Sequence, residues 1–185
     1  MMKRYFMIFM VALLVVAGAN AQELSLSEKA VKTSGDVALV AMPLATLSGV
    51  LVTKDWTGLK QAAFTTATTL GATYILKYSV KKERPDGSDN HSFPSAHTSI
   101  MFANAGFLQR RYGWKFGAPA FVLATYVGWS RTYANKHDWW DVAAGAAIGA
   151  GSAYIFTRPF AKKHNLAIAP VSDGTHFGIT ASFTL

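Results

Sequence analysis

The stretch that decides the fold is FGAPAFVLATYVGWSRTYANKHDWWDVAAGAAIGAGSAYIFT, residues 116–157. Two apolar segments, Phe116–Trp129 and Val142–Thr157, contain no Asp, Glu, Lys or Arg, and they flank the polar link Ser130–Asp141. The segments are rich in Ala, Gly and Thr and lack period-2 alternation, which is typical of helices that pack closely through small residues. They predict two antiparallel helices joined by a charged connection.

Three further apolar segments precede them, at Val37–Val52, Gln61–Leu76 and Thr98–Leu108. Together, the five segments predict an all-α, antiparallel bundle of five to six helices. Sixteen helical residues cover ~24 Å, which reaches across a hydrocarbon core of ~30 Å when flanking side chains snorkel. We expect the bundle to be transmembrane; a compact soluble bundle is the alternative.

The N-terminus has the pattern of a secretory signal peptide over residues 1–21. Two basic residues precede an apolar run that ends in the small-x-small sequence Ala19-Asn20-Ala21. We expect cleavage before Gln22 and export of the mature chain; an uncleaved anchor helix is the alternative. A polar stretch then runs to about Asp36, and the helical domain as a whole occupies residues 22–163.

The last residues follow a different period. Apolar and polar residues alternate from Phe177 to Leu185, and Ser172-Asp173-Gly174-Thr175 before them is a turn sequence. We therefore expect a short β-hairpin over residues 164–185, outside the helical domain.

The composition narrows the classes of protein that this chain can be. Hydrophobic residues make up 51% of the 185 residues and charged residues 15%, which excludes an intrinsically disordered chain. The absence of cysteine excludes a disulfide framework, a thiolate nucleophile and a metal site built on sulfur. Catalysis must therefore depend on His, Asp, Ser, Lys and Arg, and the net charge of +8 suits an anionic partner.

The connections between the helices carry the polar residues. In an up-and-down bundle, the links Lys77–His97 and Ser130–Asp141 emerge at the same end. In the first link, Lys77 and Arg84 offer a point charge and a planar fork, a pair that suits a phosphate dianion. Its last residues, Pro94-Ser95-Ala96-His97, predict a helix start, where free backbone N–H groups attract an anion. A solvated basic loop and a capped helix with a surface histidine are the alternatives for these two features.

The second link contains His137 and Asp141, four residues apart at the start of a helix. This spacing puts the carboxylate on the side of the imidazole, where it fixes the tautomer and stabilises a developing positive charge. Asp138 is expected to point elsewhere. A neutral imidazole with one free nitrogen is a nucleophile, so the pair predicts nucleophilic catalysis; a structural His–Asp pair is the alternative.

Taken together, the two links resemble the three-part signature of the type 2 phosphatidic acid phosphatase superfamily, which includes bacterial nonspecific acid phosphatases and vanadium haloperoxidases. The residues that carry the resemblance are Lys77-x6-Arg84-Pro85, Pro94-Ser95-Ala96-His97 and Ser130-Arg131-x5-His137-x3-Asp141. There are two departures from the family pattern. Ala96 replaces the usual Gly of the second motif, and the short gap between Pro85 and Pro94 leaves room only for a short lid.

The resemblance implies a role for each matching residue. His137 would attack phosphorus to form a phosphohistidine, Asp141 would orient it, and His97 would protonate the leaving oxygen and then activate water. The phosphate oxygens would be held by Lys77, Arg84, Ser95, the Ala96 amide and Arg131. No metal ion and no other cofactor is implied, and the acidic turn near His91 lacks the spacing of metal ligands.

The resemblance also implies the class of substrate. We expect a metal-independent phosphatase that hydrolyses phosphomonoesters or pyrophosphates of lipids, of the lipid A, undecaprenyl pyrophosphate or phosphatidylglycerophosphate type. The expected location is the inner membrane, with the active site at its periplasmic face. The expected partners are the phosphorylated substrate and the membrane, with no nucleic acid and no obligate protein partner. The alternatives are a soluble periplasmic acid phosphatase, a vanadium haloperoxidase-like enzyme and a catalytically inert membrane protein.

Overall fold

The protein forms an all-helical bundle, as predicted, in a computed structural model that describes residues 28–160, 166–172 and 177–183. The described helices are α1 (Glu28–Val52), α2 (Trp56–Ser79), α3 (Ala96–Tyr112), α4 (Trp114–Tyr133) and α5 (Trp139–Phe156). The predicted signal peptide lies outside the described residues.

Each helix begins before the apolar segment that predicts it, and at α3 and α5 a capping residue in the link sets the start. Ser95 caps α3 and Asp138 caps α5, each by accepting a hydrogen bond from a backbone amide of the first turn. The largest difference is in α1, which begins at Glu28 rather than near Val37. The stretch that was expected to be a polar lead-in is therefore helical from Glu28 onward.

The helix α3 packs most extensively against α4 and α5. Two glycines of α5 allow a close approach, since a side chain at Gly149 would overlap the backbone of Ser99, and one at Gly145 would lie 2.6 Å from the Ser95 carbonyl oxygen. The Ser95 amide also donates to the Asp141 carbonyl at 3.0 Å. The starts of α3 and α5 are therefore held side by side at one end of the bundle.

The buried interior is apolar around α3 and polar along one face of α2. The largest apolar side chains, each at most 1% exposed, are Phe107, Met42, Met101, Leu108, Val50 and Val127. On α2 the buried positions are Gly58, Thr65, Thr69, Thr73 and Lys77. This face of α2 therefore ends at Lys77 in the last turn of the helix, just before the link to α3.

The end of the bundle remote from the two links contains a cavity of about 460 Å³. Its lining includes Lys54 and Arg158, beside the buried ion pair of Arg111 and Asp55. Arg111 donates from Nε to Asp55 at 2.7 Å and from Nη1 to the carbonyl oxygens of Arg158 and Pro159 at 3.0 and 3.1 Å. The guanidinium thus connects α3 to the start of α2 and to the segment after α5. Arg111 therefore has a structural role.

Two strands follow the bundle, β1 (Leu166–Ser172) and β2 (Phe177–Phe183). They pair antiparallel, with Leu166 opposite Phe183 and Ser172 opposite Phe177. The predicted turn between them lies outside the described residues.

The outer surface of the bundle is apolar. Large side chains point outward from four helices, with exposed fractions of 61% for Val37, 68% for Ile75, 68% for Val122 and 74% for Ile155. Among the described helices, α1 is the one whose length and composition suffice to cross a membrane, over Lys29–Val52 with a mean hydropathy of 1.8. In a soluble bundle, the outer face of each helix carries charged residues. The outer face of α5 carries none.

Candidate active site

The two polar links meet at one end of the bundle. Lys82, in the link between α2 and α3, donates to Asp138 at 2.6 Å and to Asp141 at 2.7 Å across the start of α5. A second ion pair joins Lys136 to Asp86. These contacts bring residues that are 50 or more positions apart in the sequence into one polar cluster.

His137 and Asp141 form the centre of this cluster. Nδ1 of His137 lies 3.4 Å from Oδ2 of Asp141, and both side chains are buried. The distance is within reach of a charge interaction but long for a hydrogen bond, and such contacts tighten when substrate binds. The fully buried Ser92 hydroxyl donates to the same Asp141 oxygen and lies 3.5 Å from His137 Nδ1. Ser92 therefore helps to hold the carboxylate that faces the imidazole.

Asp141 is oriented from a second side by a capping box at the start of α5. The Asp138 side chain accepts from the Asp141 amide at 3.0 Å, and the Asp141 side chain accepts from the Asp138 amide at 3.2 Å. Asp138 thus faces Lys82 and the helix start and not His137. Burial opposes the charge on Lys82, but the hydrogen bonds to the two carboxylates outweigh it, and the pKa of Lys82 lies above its ordinary value.

The environment of His137 keeps its imidazole neutral. The residue lies in the link before α5, where burial, together with the positive charges of Arg84 and Lys77, lowers the pKa of His137 to about 4. The Asp141 carboxylate acts in the opposite direction and does not compensate. At neutral pH, the ring is therefore uncharged, with Nδ1 on the side of Asp141 and Nε2 available to react.

Lys77, a predicted phosphate ligand, makes two contacts to the backbone of the first link. Its ammonium group donates to the carbonyl oxygens of His91 and Pro94 at 2.7 and 2.9 Å. An ammonium group has three donors, so these two bonds leave one for a ligand. Lys77 therefore anchors the end of the first link beside the start of α3.

The remaining predicted phosphate ligands of the first link lie around the start of α3. Arg84 donates from Nε to Asp89 at 2.8 Å. Its two terminal nitrogens, Nη1 and Nη2, take no part in this bond. The Ser95 hydroxyl is 3.0 Å from the Thr98 hydroxyl, and both groups of Ser95, hydroxyl and amide, are engaged in capping and packing. Ala96 is the first residue of α3, so its amide is among those without an intrahelical partner.

His97 and Arg131 are joined by a residue that the sequence motifs do not contain. Oδ1 of Asp36, on α1, lies 2.9 Å from Nε2 of His97 and 2.8 Å from Nη1 of Arg131. Arg131 also donates to the carbonyl oxygen of Lys32 at 2.7 Å. The acid–base candidate and one phosphate-ligand candidate are thus linked through α1.

The two halves of the cluster lie side by side, because the Ser95 amide, two residues before His97, donates to the carbonyl oxygen of Asp141 at 3.0 Å. Sequence reasoning brought the motif residues together but missed three that complete the arrangement, namely Asp36, Lys82 and Ser92. Lys82 and Ser92 lie within the first link, between motif residues, and this position could have marked them as candidates. Asp36 lies in a stretch that no motif covers.

The acidic side chains near His91 are paired with other side chains of the protein. Asp86 is bound to Lys136 and Ser88, and Asp89 to Arg84. Within the described residues, no group of three or more His, Asp and Glu side chains is arranged to hold a metal ion.

Comparison with known proteins gives this arrangement a family context. Residues 58–165, more than half of the chain, match the family model of the PAP2 superfamily. Over 98% of its length the chain is 28% identical to a Lipid A 4'-phosphatase from Helicobacter pylori, 99% of which is covered. A Lipid A 1-phosphatase from Porphyromonas gingivalis is 38% identical over 40% of this chain and 17% of its own length.

The fold has a counterpart among solved structures. The crystal structure of Aquifex aeolicus LpxE matches with a TM-score of 0.62 at 23% identity, over 74% of this chain and 88% of that chain. The range matched by the family model begins after α1 and ends at residue 165. The family model thus lends no support to the predicted C-terminal hairpin.

Proposed function

Because this chain belongs to the PAP2 superfamily, we propose that it is a phosphatase that removes phosphate from lipids through a phosphohistidine on His137. The observation that carries the proposal is the geometry at His137, a buried imidazole whose Nδ1 lies 3.4 Å from the buried carboxylate of Asp141. Burial and the charges of Arg84 and Lys77 lower the pKa of His137, which favours the neutral ring. A neutral imidazole beside cationic groups is suited to attack an anionic phosphate.

In the first proposed step, Nε2 of His137 attacks phosphorus. The N–P bond forms as the bond from phosphorus to the lipid oxygen breaks, and His97 gives a proton to that oxygen. Asp141 stabilises the positive charge that develops on the His137 ring, since its carboxylate faces Nδ1 at 3.4 Å.

In the second proposed step, water attacks the phosphohistidine and the N–P bond breaks. His97, neutral after the first step, takes the proton of the water and returns to its starting state. The sum of both steps is hydrolysis of one phosphate ester by one water, with inorganic phosphate and the lipid alcohol as products.

The phosphate oxygens are proposed to be held by Lys77, Arg84, Arg131, Ser95 and the Ala96 amide. Lys77 and Arg131 keep donors beyond those used in structural contacts, and Ala96 offers a backbone N–H at a helix start. The Ser95 hydroxyl oxygen accepts from the amide and the hydroxyl of Thr98, which holds the helix start in place, and its O–H remains to donate to a phosphate oxygen. These groups supply the charge stabilisation that phosphoryl transfer requires.

The proposed substrate is a phosphate group of lipid A or a closely similar lipid. The relatives described as lipid A phosphatases support this choice, above all the one that is matched over nearly its whole length. Undecaprenyl pyrophosphate and phosphatidylglycerophosphate carry the same reacting group and are the substrates to be tested beside it.

We propose that the bundle is embedded in the inner membrane with this site at the level of the periplasmic headgroups. The apolar exterior of α1, α2, α4 and α5 supports a lipid environment. Trp139 and Trp140 are 61% and 78% exposed at the start of α5. Exposed tryptophans at one end of a bundle are typical of residues at a membrane–water interface. An export signal at the N-terminus would leave the two links on the periplasmic side.

The proposal is tested by phosphate release from a panel of lipid A, undecaprenyl pyrophosphate, phosphatidylglycerophosphate and a soluble phosphomonoester, with protein purified in detergent. Release from a lipid, loss of turnover in His137→Ala and a phosphate adduct trapped on His137 are expected. Undiminished turnover in His137→Ala contradicts the mechanism. Recovery of the enzyme in the soluble periplasmic fraction, with a preference for soluble esters, favours an acid phosphatase.

A further inference from the structure

We infer that Asp36 is a positioning residue of this site, which holds His97 and Arg131 together through one carboxylate oxygen. The inference rests on the proposed function, because it assigns to Asp36 the preparation of the acid–base group and of a phosphate ligand. Asp36 lies on α1, outside the range 58–165 that matches the family model.

The carboxylate is shared between two cationic or potentially cationic side chains. Oδ1 of Asp36 is 2.9 Å from Nε2 of His97 and 2.8 Å from Nη1 of Arg131. The Arg131 side chain is 3% exposed, and its Nη2 donates to the Lys32 carbonyl at 2.7 Å. A buried guanidinium requires a compensating charge, and α1 supplies both that charge and a carbonyl acceptor.

The backbone of α1 is shaped for this contact. A side chain at Gly35 would overlap Nη2 of Arg131 and Oγ of Ser130, so a larger residue there would displace both side chains. The hydroxyl groups of Ser34 and Tyr126 are 2.6 Å apart and join α1 to α4 beside the site. The close approach of the two helices is what brings the Asp36 carboxylate within reach of both side chains.

The contact determines which nitrogen of His97 faces the substrate. When Nε2–H donates to Asp36, Nδ1 remains to exchange protons. The imidazolium gives its Nδ1 proton to the leaving oxygen as the P–O bond breaks, and the neutral ring then accepts a proton from water through the same nitrogen. Asp36 keeps the tautomer constant and favours the imidazolium, against burial and the charges of Arg131 and Arg84, which oppose it.

The test is the variant Asp36→Asn, which removes the charge but keeps a carbonyl oxygen for Arg131. We expect kcat/KM on the lipid substrate to fall about 10- to 100-fold and its alkaline limb to move about one pH unit lower, because the imidazolium loses its counter-charge. Asp36→Glu restores the charge and should recover part of the rate and return the limb toward its wild-type position. Thr33→Ala, an exposed position on α1 bonded to the Lys29 carbonyl, is the matched control and should change neither quantity.

A second readout does not depend on turnover. In protein with ¹⁵N-labelled histidine, the His97 ring should titrate at lower pH in Asp36→Asn than in the wild type. If Asp36→Asn folds, titrates like the wild type and keeps its pH profile, the inference is wrong and the proposed function stands. If Asp36→Asn does not fold, Asp36→Glu decides. A partly recovered rate with the limb and the His97 titration near their wild-type positions supports the inference, whereas a folded Asp36→Glu whose limb and titration move about one pH unit lower despite the restored charge contradicts it. A wild-type protein that releases no phosphate from any lipid contradicts the proposed function, and the His97 titration still decides the role of Asp36.

Discussion

The ammonium group of Lys82 lies 2.7 Å from Oδ1 of Asp141, whose other oxygen faces His137. Lys82 also contacts Asp138 at 2.6 Å, and Ser92 donates to the Asp141 oxygen on the histidine side. Each oxygen of this fully buried carboxylate therefore has its own partner in the first link. The orientation of Asp141 toward His137 thus depends on residues that precede it by about 50 to 60 positions.

Replacing Lys82 should lower both stability and activity. Lys82→Met leaves Asp141 buried with fewer donors, which should cost about 1–3 kcal/mol of unfolding free energy and reduce kcat/KM. Thermal unfolding in detergent and phosphate release measure the two effects. Lys81→Met, at the exposed neighbouring position, is the control, and equal effects of the two variants would mean that the contact with Asp141 is unimportant.

Removing the Ser92 hydroxyl should slow turnover without removing any group that touches the substrate. Ser92→Ala deletes a hydrogen bond to a buried carboxylate, a loss of about 1.5–3 kcal/mol, which corresponds to a decrease of about 10- to 100-fold in kcat/KM. Ser88→Ala is the matched control, because Ser88 is exposed and bound to Asp86. Wild-type kinetics in Ser92→Ala would show that the capping box alone orients Asp141.

The low pKa of His137 predicts activity that persists into acid. The unprotonated ring is the nucleophile, and since burial, Arg84 and Lys77 lower the pKa of His137 to about 4, the acid limb of kcat/KM should lie near that pH. Arg84→Gln removes one of those charges, so its remaining activity should show the limb at higher pH. A wild-type limb near the ordinary histidine value of ~6.5 would contradict the assignment. Circular dichroism at each pH separates loss of activity from unfolding.

The contact between α3 and α5 should not tolerate a methyl group at Gly149. Gly149→Ala would press against the Ser99 backbone, and overpacking of this kind costs about 1–3 kcal/mol. Gly151→Ala, on the same helix, meets nothing within 4 Å and should be neutral or slightly stabilising. The melting temperatures in detergent test the pair. A larger loss in Gly151→Ala would place the tight contact elsewhere.

Activity should survive chelation and be inhibited by vanadate. The cationic side chains around His137 supply the charge that a divalent ion supplies in other phosphatases, and they also suit a trigonal-bipyramidal oxyanion. Phosphate release measured with EDTA, and separately with vanadate, tests this. Loss of activity in EDTA that returns with Mg²⁺ or Zn²⁺ would assign a metal to the acidic residues near His91.

The helices and the local pairs of this site follow from the sequence by itself. A long apolar segment such as Val142–Thr157 satisfies its backbone groups away from water by becoming a helix. Ser95 and Asp138 act on amides within the next few residues, so the starts of α3 and α5 are local events. His137 and Asp141 come within 3.4 Å because four residues at a helix start bring them to the same side.

The tertiary structure alone decides which distant residues join these local pairs. Asp36 is 61 positions from His97 and 95 from Arg131, in a stretch whose polarity predicts no helix. Ser92 reaches Asp141 across 49 positions. Such bonds act over about 3 Å, so they depend on how closely the helix backbones approach, and that distance is set by packing between elements that no local pattern describes.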